Sequence, residues 1–460
     1  MTQASPTETK QTPFYRAVWR WHFYAGLYVV PFLLMSATTG LVMLYKPQIE
    51  AARYRDQIFV SPRDTRLPAQ AQVNAVRAAY PDGTLTRYRP ASAADRSSEV
   101  GIKDPRGAES TVYVNPYDAR VLGSLSDEGR LALFAKRIHK NLLLGDLGDA
   151  LIELAASLGI VLLATGLYMW WPGLSELTTA LALSRANGRR AFWRGLHSTT
   201  GALISGVLLF YLVSGLAWTG VWGKRVVQAW STFPAAKSKV APDEHANHQS
   251  LNSAAEDIAP WALAQTPMPT SVPASADGSR DLTVDDAIRI AQGAGIGERY
   301  TVILPKGQGG VFTVAATTMS GDAIDPRDEL TVHIDRRTGK VLARVGWRDY
   351  GMGARAMATG VPLHQGSFGG WNQIFSTVAL LSIALLAVSG IAMWWSRRPK
   401  GALRLVAPSR PQEVRVPAMA GALLLTLCAA FPLAGLAIIT ILIVDVAVIQ
   451  RVRWLHAIVN

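Results

Sequence analysis

The sequence predicts a membrane α-helical bundle of four core spans in a duplicated arrangement. A C-terminal helical hairpin and two small α+β domains outside the bilayer complete the architecture. Three observations predict it. Four apolar runs, Phe23–Tyr45, Asp149–Trp171, Gly195–Trp222 and Trp371–Trp395, are each long enough to cross about 30 Å of hydrocarbon. Basic residues gather at one end of those runs, and short motifs recur in the same order in the two halves of the chain.

A fifth apolar region, 416–449, is broken by Pro432 and Gly435 and reads as a hairpin of two short crossings. The chain then divides into an N-tail (1–21), a first span (22–46), an outer domain (47–138) and an outer segment with the second span (139–171). A loop (172–192), a third span (193–223) and a second outer domain (224–363) follow. An outer segment with the fourth span (364–395), a loop (396–415), the hairpin (416–449) and a tail (450–460) complete it. Within the second outer domain, residues 231–280 are rich in Pro, Ala and Ser and read as a loosely structured insertion.

The ends shared by the N-tail, the loops after spans two and four and the tail hold 15 basic residues against Glu8, Glu176 and Glu413. The net charge of +13 is therefore concentrated on one face, which the positive-inside rule makes cytoplasmic, with both termini inside and both long loops outside. So placed, the charge is a topology signal for a protein of the lipid bilayer, and no nucleic-acid partner is expected. Trp19, Trp21, Trp170, Trp171, Trp193, Trp394, Trp395 and Trp454 fall at the same interface as an aromatic belt. The single Cys428 excludes a disulfide scaffold, a thiolate metal centre and covalent haem attachment through CxxCH.

The repeat is visible residue by residue. His22 precedes Gly26 by four residues and Gly40 by eighteen; His197 stands in the same relation to Gly201 and Gly215. His139 leads to Thr165-Gly166 and Met169-Trp170-Trp171, and His364 leads to Ser389-Gly390 and Met393-Trp394-Trp395. Each outer loop carries a helical pattern, Pro68–Tyr80 and Thr283–Gln292, followed by strand-like runs. The last runs are Thr111–Leu122 in the first loop and Tyr300–Leu304, Val311–Ala316 and Leu330–Leu342 in the second.

Four of eight histidines thus sit at membrane boundaries in repeat-related positions. A single histidine at an interface is more often an anchor. Two matched pairs, His22 with His197 and His139 with His364, fit a different need: facing neutral imidazoles on bundle helices hold a non-covalent b-type haem. The reading is two bis-His haem b groups, one near each leaflet, with Arg20 and Arg194 inside and Arg137 and Lys140 outside as propionate partners. Zinc is disfavoured because each pair lacks further ligands. His245 and His248, beside Asp243 and Glu244, read as solvated linker; His333 reads as a solvent-facing strand residue and His456 as an interface residue. Glu153 and Asp445, inside apolar runs, are candidates for partnering a polar group or relaying protons. No dinucleotide, P-loop, HExxH or GxSxG motif is present, so electrons would come from a separate donor.

The stretch His139-Lys-Asn-Leu-Leu-Leu-Gly145-Asp-Leu-Gly148, the run Thr165-Gly166-Leu-Tyr-Met-Trp-Trp-Pro172, and the His22 and His197 spans resemble PepSY-associated transmembrane proteins over most of residues 15–450. The outer domains resemble PepSY domains. The resemblance implies a bacterial inner-membrane protein, often iron-regulated; some relatives are di-haem reductases of periplasmic ferric siderophores. It also implies His22, His197, His139 and His364 as axial ligands. The expectation is electron transfer from a cytoplasmic or quinol donor to a periplasmic acceptor, with a ferric siderophore foremost. The insertion at 231–280 departs from the pattern and bears on acceptor choice. Alternatives are a membrane-anchored PepSY protein that binds peptide or protease, and a transporter.

Overall fold

A computed structural model describes residues 12–171, 188–231, 247–253, 257–272, 281–307, 309–398 and 417–444. Asp243, Glu244, His245, Asp445 and His456 lie outside the described residues. The chain forms two compact units, one of residues 1–38, 139–224 and 378–460, the other of 39–138 and 225–377.

The helices, in chain order, are α1 (Pro13–Leu44), α2 (Lys46–Arg53), α3 (Arg55–Ile58), α4 (Ala69–Ala79), α5 (Leu131–Asn141), α6 (Gly145–Trp170) and α7 (Arg189–Leu216). They continue with α8 (Trp222–Trp230), α9 (Val284–Gly293), α10 (Met352–Gln365), α11 (Gly370–Arg397), α12 (Ala418–Ala430) and α13 (Pro432–Val444). Four of them, α1, α6, α7 and α11, are long and apolar enough to cross a membrane. They are the four expected spans, each extended by polar or basic turns at one or both ends.

In the first unit, α6 and α7 pack along each other around Ile160, Leu208, Leu212 and Leu216, joined by Ala37 and Ile383. Gly159 permits the approach: a Cβ there would lie 3.1 Å from Leu212. Helices α12 and α13 meet at Phe431 with a 118° bend. Each has 13 residues, about 20 Å of helix, which is short of the hydrocarbon thickness. Phe431 stacks on Trp222, whose indole nitrogen donates to the Ala430 carbonyl.

The third apolar run continues to Trp222, but its helix stops at Leu216. The cause is two carboxylates of α6. Asp149 accepts from the Gly220 N–H, and Glu153, 1% exposed, accepts from the Val221 and Trp222 N–H groups. They satisfy the free donors at the start of α8, where the helix dipole also favours negative charge. Glu153, read from the sequence as a possible proton relay, is here a buried helix cap.

In the second unit, both outer segments contribute to one eight-stranded antiparallel sheet. The strands are β1 (Thr84–Arg89), β2 (Ser98–Lys103), β3 (Glu109–Val114), β4 (Val121–Ser126), β5 (Thr301–Ile303), β6 (Phe312–Ala316), β7 (Leu330–Ile334) and β8 (Val341–Gly346), in the order β4-β3-β2-β1-β5-β6-β7-β8. The two four-stranded halves join edge to edge through β1 and β5, with Arg87 opposite Ile303 and Tyr88 opposite Val302. This pairing removes the exposed edge each half would otherwise present.

Alternate residues of the strands face α4 and α9, building a core from Val73, Val76, Val100, Val112, Ala287, Val302, Val314, Val332 and Ile334. The two helices cap each other: Asp285 accepts from the Ala69 and Gln70 N–H groups, and Gln70 Oε1 accepts from the Val284 N–H. Thr283 and Asp286 add a capping box to α9.

The other sheet face is filled differently in the two halves. In the first, Arg130 makes a bidentate pair with Glu50 of α2 and lies 3.6 Å from Asp127, while Arg87 donates to Thr111. In the second, the described part of the insertion covers the face: Ile258 packs on Ile303 and Ala315, and Ala262 and Leu263 pack on Val345 and Tyr350. The linker reading of 231–280 is corrected for residues 247–253 and 257–272, which are packed.

Candidate functional site

His22 lies on α1 and His197 on α7, both within the first unit. Their ring centroids are 6.4 Å apart and nearly perpendicular, at 87°. The sequence motif pairs these two residues, and the fold brings them together.

Each ring is held by a different helix through its Nδ1. His22 Nδ1 meets Thr165 Oγ1 of α6 at 2.9 Å, while that hydroxyl donates to the carbonyls of Val161 and Leu162. Since the hydroxyl hydrogen is committed, Nδ1 must be the donor. His197 repeats the logic on α11: its Nδ1 meets the Leu386 carbonyl at 3.0 Å and Ser389 Oγ at 3.1 Å, and Ser389 Oγ donates to the same carbonyl. A carbonyl can only accept, so this ring also carries its proton on Nδ1. Both imidazoles are therefore fixed in the tautomer whose Nε2 holds a free lone pair, the form a metal ion binds.

The glycines that follow the holding residues make the room. A Cβ on Gly166 would lie 3.2 Å from His22 Cε1, and one on Gly390 would lie 3.4 Å from His197 Cε1. The dipeptides Thr165-Gly166 and Ser389-Gly390 thus perform one task twice, a hydroxyl to orient the imidazole and a bare backbone to admit it. The sequence displayed both dipeptides but showed only the glycines' smallness; which histidine each would serve depends on helix pairing.

The spacing can be tested against a bound group. Two metal–nitrogen bonds of about 2.0 Å on opposite sides of one ion place imidazole centroids roughly 6 Å apart. The observed 6.4 Å agrees with that figure. Among the described residues no three or more of His, Cys, Asp and Glu are grouped to share an ion. Two imidazoles are a donor set that could hold a group bringing further nitrogen ligands of its own, as a porphyrin does.

The basic residues expected near this pair divide. The Arg20 guanidinium lies over the Tyr24 ring at 5.1 Å, and Arg194 is exposed. Arg397, at the end of α11, lies over Trp19 at 5.2 Å and Phe23 at 5.4 Å, one turn before and one residue after His22. It was not among the sequence candidates, because its place beside α1 follows from the packing of α11.

His139 lies on α5 in the first unit, half-buried, with its ring hydrogen-bonded to the backbone of Ser36. Arg137 and Lys140 on the same helix are exposed. His364 lies in the second unit, half-buried in the last turn of α10, which Gly366 ends in a left-handed conformation (φ 73°). A Cβ there would come 2.2 Å from the Leu44 side chain, so the position admits glycine on both counts.

Two further histidines are placed against expectation. His333 is 0% exposed on β7, and His248 is 5% exposed in a short turn of the insertion. The readings of a solvent-facing strand residue and a solvated linker are both corrected: the insertion lies over the sheet face that carries His333.

The sequence profile of the PepSY-associated TM region family matches residues 19–397. The chain belongs to this family. The matched region includes α1 from Trp19 onward, the whole of α6, α7 and α11, and His22, His139, His197 and His364. No curated protein matches the chain significantly. Membership of the family and four helices fit to cross a bilayer make this a multi-pass membrane protein.

Proposed function

We propose that this PepSY-associated membrane protein carries electrons across a bacterial inner membrane through two non-covalent haem b groups. The observation that carries the reading is the double fixation of His22 and His197, each with Nδ1 occupied and Nε2 free, at a separation suited to one metal ion. Haem, when bound, supplies a one-electron iron couple. The chain's residues then have separate tasks. His22 and His197 would hold the iron of one group, at the end of the bundle rich in Arg and Lys that the positive-inside rule reads as cytoplasmic. Thr165, Leu386 and Ser389 keep those imidazoles aimed, with the proton on Nδ1. Arg20, Arg194 and Arg397 offer charge to propionates.

His139 and His364 are proposed as the second axial pair, with Arg137 and Lys140 as its propionate partners. The spans and the outer strands are read as a duplication, and the two halves of the sheet as PepSY-like domains facing the periplasm. The donor is cytoplasmic or a quinol. The acceptor proposed is a ferric siderophore: one electron converts Fe(III) to the softer Fe(II), which oxygen donors hold less tightly.

The test is spectroscopic. Protein purified in detergent from iron-replete cells is expected to show a Soret band, a sharp α-band on dithionite reduction, and two haems per chain in a pyridine extract. A folded, colourless protein would overturn the proposal.

A further inference from the structure

His248 and His333 are bound to each other. Their Nε2 atoms are 3.0 Å apart and their ring centroids 4.9 Å apart. The outer nitrogens are also engaged. His248 Nδ1 meets the Thr266 carbonyl at 2.8 Å and Thr266 Oγ1 at 2.7 Å, and that hydroxyl donates to the Leu263 carbonyl. His333 Nδ1 meets Thr313 Oγ1 on β6 at 2.9 Å. One proton order satisfies every group: Thr313 donates to His333, His333 donates through Nε2 to His248, and His248 donates through Nδ1 to Thr266. Both rings must be neutral for this order to hold, and the pair ties the strap, residues 247–253 and 257–272, to β7.

We propose that the His248–His333 pair is an acid-sensitive latch that holds this strap over the second half of the sheet and releases it when the pH falls. A second proton on the pair would set two Nε2–H groups against each other, and a first would leave a cation buried. Burial and the neighbouring His248 press His333 down to about 3, and burial also lowers His248. A released histidine titrates near 6.5, so the open state takes up protons that the closed state refuses. The sign follows: latch stability is full above about pH 6.5 and falls as the pH drops toward the folded values.

Among the described residues, the carboxylates around the pair are all engaged elsewhere. Asp335, on the same face of β7, accepts from Ser271, Val272, Arg337 and Thr338. Glu329, at the other end of that strand, accepts from Thr318 and Tyr350. Asp257 in the strap is paired with Lys136. Strands β6 and β8 present only Thr, Ala and Val on this face. Ile258 and Leu263 add an apolar hold, and Asp257 with Lys136 and Asp335 with Ser271 and Val272 add polar ones; the histidine pair is the part of the hold built on imidazoles, the side chains that titrate near neutral pH.

Hydrogen exchange on the full chain in detergent, corrected for the intrinsic pH dependence of exchange, reads the latch directly. Between pH 7.5 and 5.5 the opening constant of peptides from residues 247–272 should rise by about 100-fold if both histidines protonate on opening, or about 10-fold if one does. Peptides from β2 and β3 serve as the reference and should not change. His248→Gln and His333→Gln should each cut the dependence to about 10-fold or less. A wild-type strap with the same opening constant at both pH values, or one that opens in step with β2 and β3, overturns the proposal. That measurement stands even if a variant fails to fold. It is independent of haem, so its failure and that of the electron-transfer reading are distinguishable.

Discussion

Among the described residues, two pairs of neighbouring histidines put the same side chain to opposite uses. In His22–His197 each ring's Nδ1 is taken by a hydroxyl or carbonyl of another helix, and the rings stay 6.4 Å apart with Nε2 free. In His248–His333 the Nε2 atoms are joined to each other, the rings close to 4.9 Å, and no lone pair is left for a ligand. What differs is the set of elements that carry the rings. Two membrane helices hold the first pair apart, and glycines at 166 and 390 give each ring its space. A strand and a short covering turn let the second pair collapse into contact. A free imidazole pair is thus a property of the scaffold that keeps it open, and histidine content alone does not predict it.

The comparison breaks most sharply with paired substitutions. His197→Phe removes an Nε2 and should take one haem equivalent to zero; His333→Phe should leave haem content unchanged. Pyridine extraction of both variants checks this, and haem loss in both would erase the distinction.

Next in size is the loss of orientation. Thr165→Val removes the hydroxyl from His22 and leaves the Leu162 backbone, and Ser389→Ala removes the hydroxyl from His197 and leaves the Leu386 carbonyl. Loss of such an orienting partner weakens metal binding by about 10- to 100-fold. The two variants are expected to lose haem to a similar extent, each less than His197→Phe. Retention of haem against apomyoglobin as a competing acceptor measures both.

The smallest effect separates affinity from stability. Gly166→Ala places a Cβ 3.2 Å from the His22 ring, which must shift by a few tenths of an ångström. Helix propensity favours alanine by up to about 1 kcal/mol. The haem-free protein is therefore expected to hold or gain thermal stability while haem retention falls severalfold. A parallel loss of both would show that Gly166 serves helix packing instead of the imidazole.

Much of this was legible in the sequence for a physical reason: lipid enforces it. An apolar run long enough to span must be a helix, since no other local structure satisfies its backbone there, and α1, α6, α7 and α11 follow. The outer helices at Ala69–Ala79 and Val284–Gly293 were legible from their helical patterns. The end of α7 was not, because Leu216 through Trp222 stays apolar and the stop is imposed by Asp149 and Glu153 on a neighbouring helix. Nor was the burial of His248 and His333, since neither local sequence says what will lie on top of it.

The sequence by itself determined the spans, the basic face and the recurrence of histidine, hydroxyl and glycine at fixed intervals, because all of these are properties of composition and spacing along one chain. The tertiary structure alone decided that Thr165 serves His22 and Ser389 serves His197, that eight strands share one sheet, and that the insertion locks onto His333. The three side-chain contacts join residues 143, 192 and 85 positions apart. A hydrogen bond across such separations depends on which helix faces meet and which strands pair, and short-range periodicity carries no record of either.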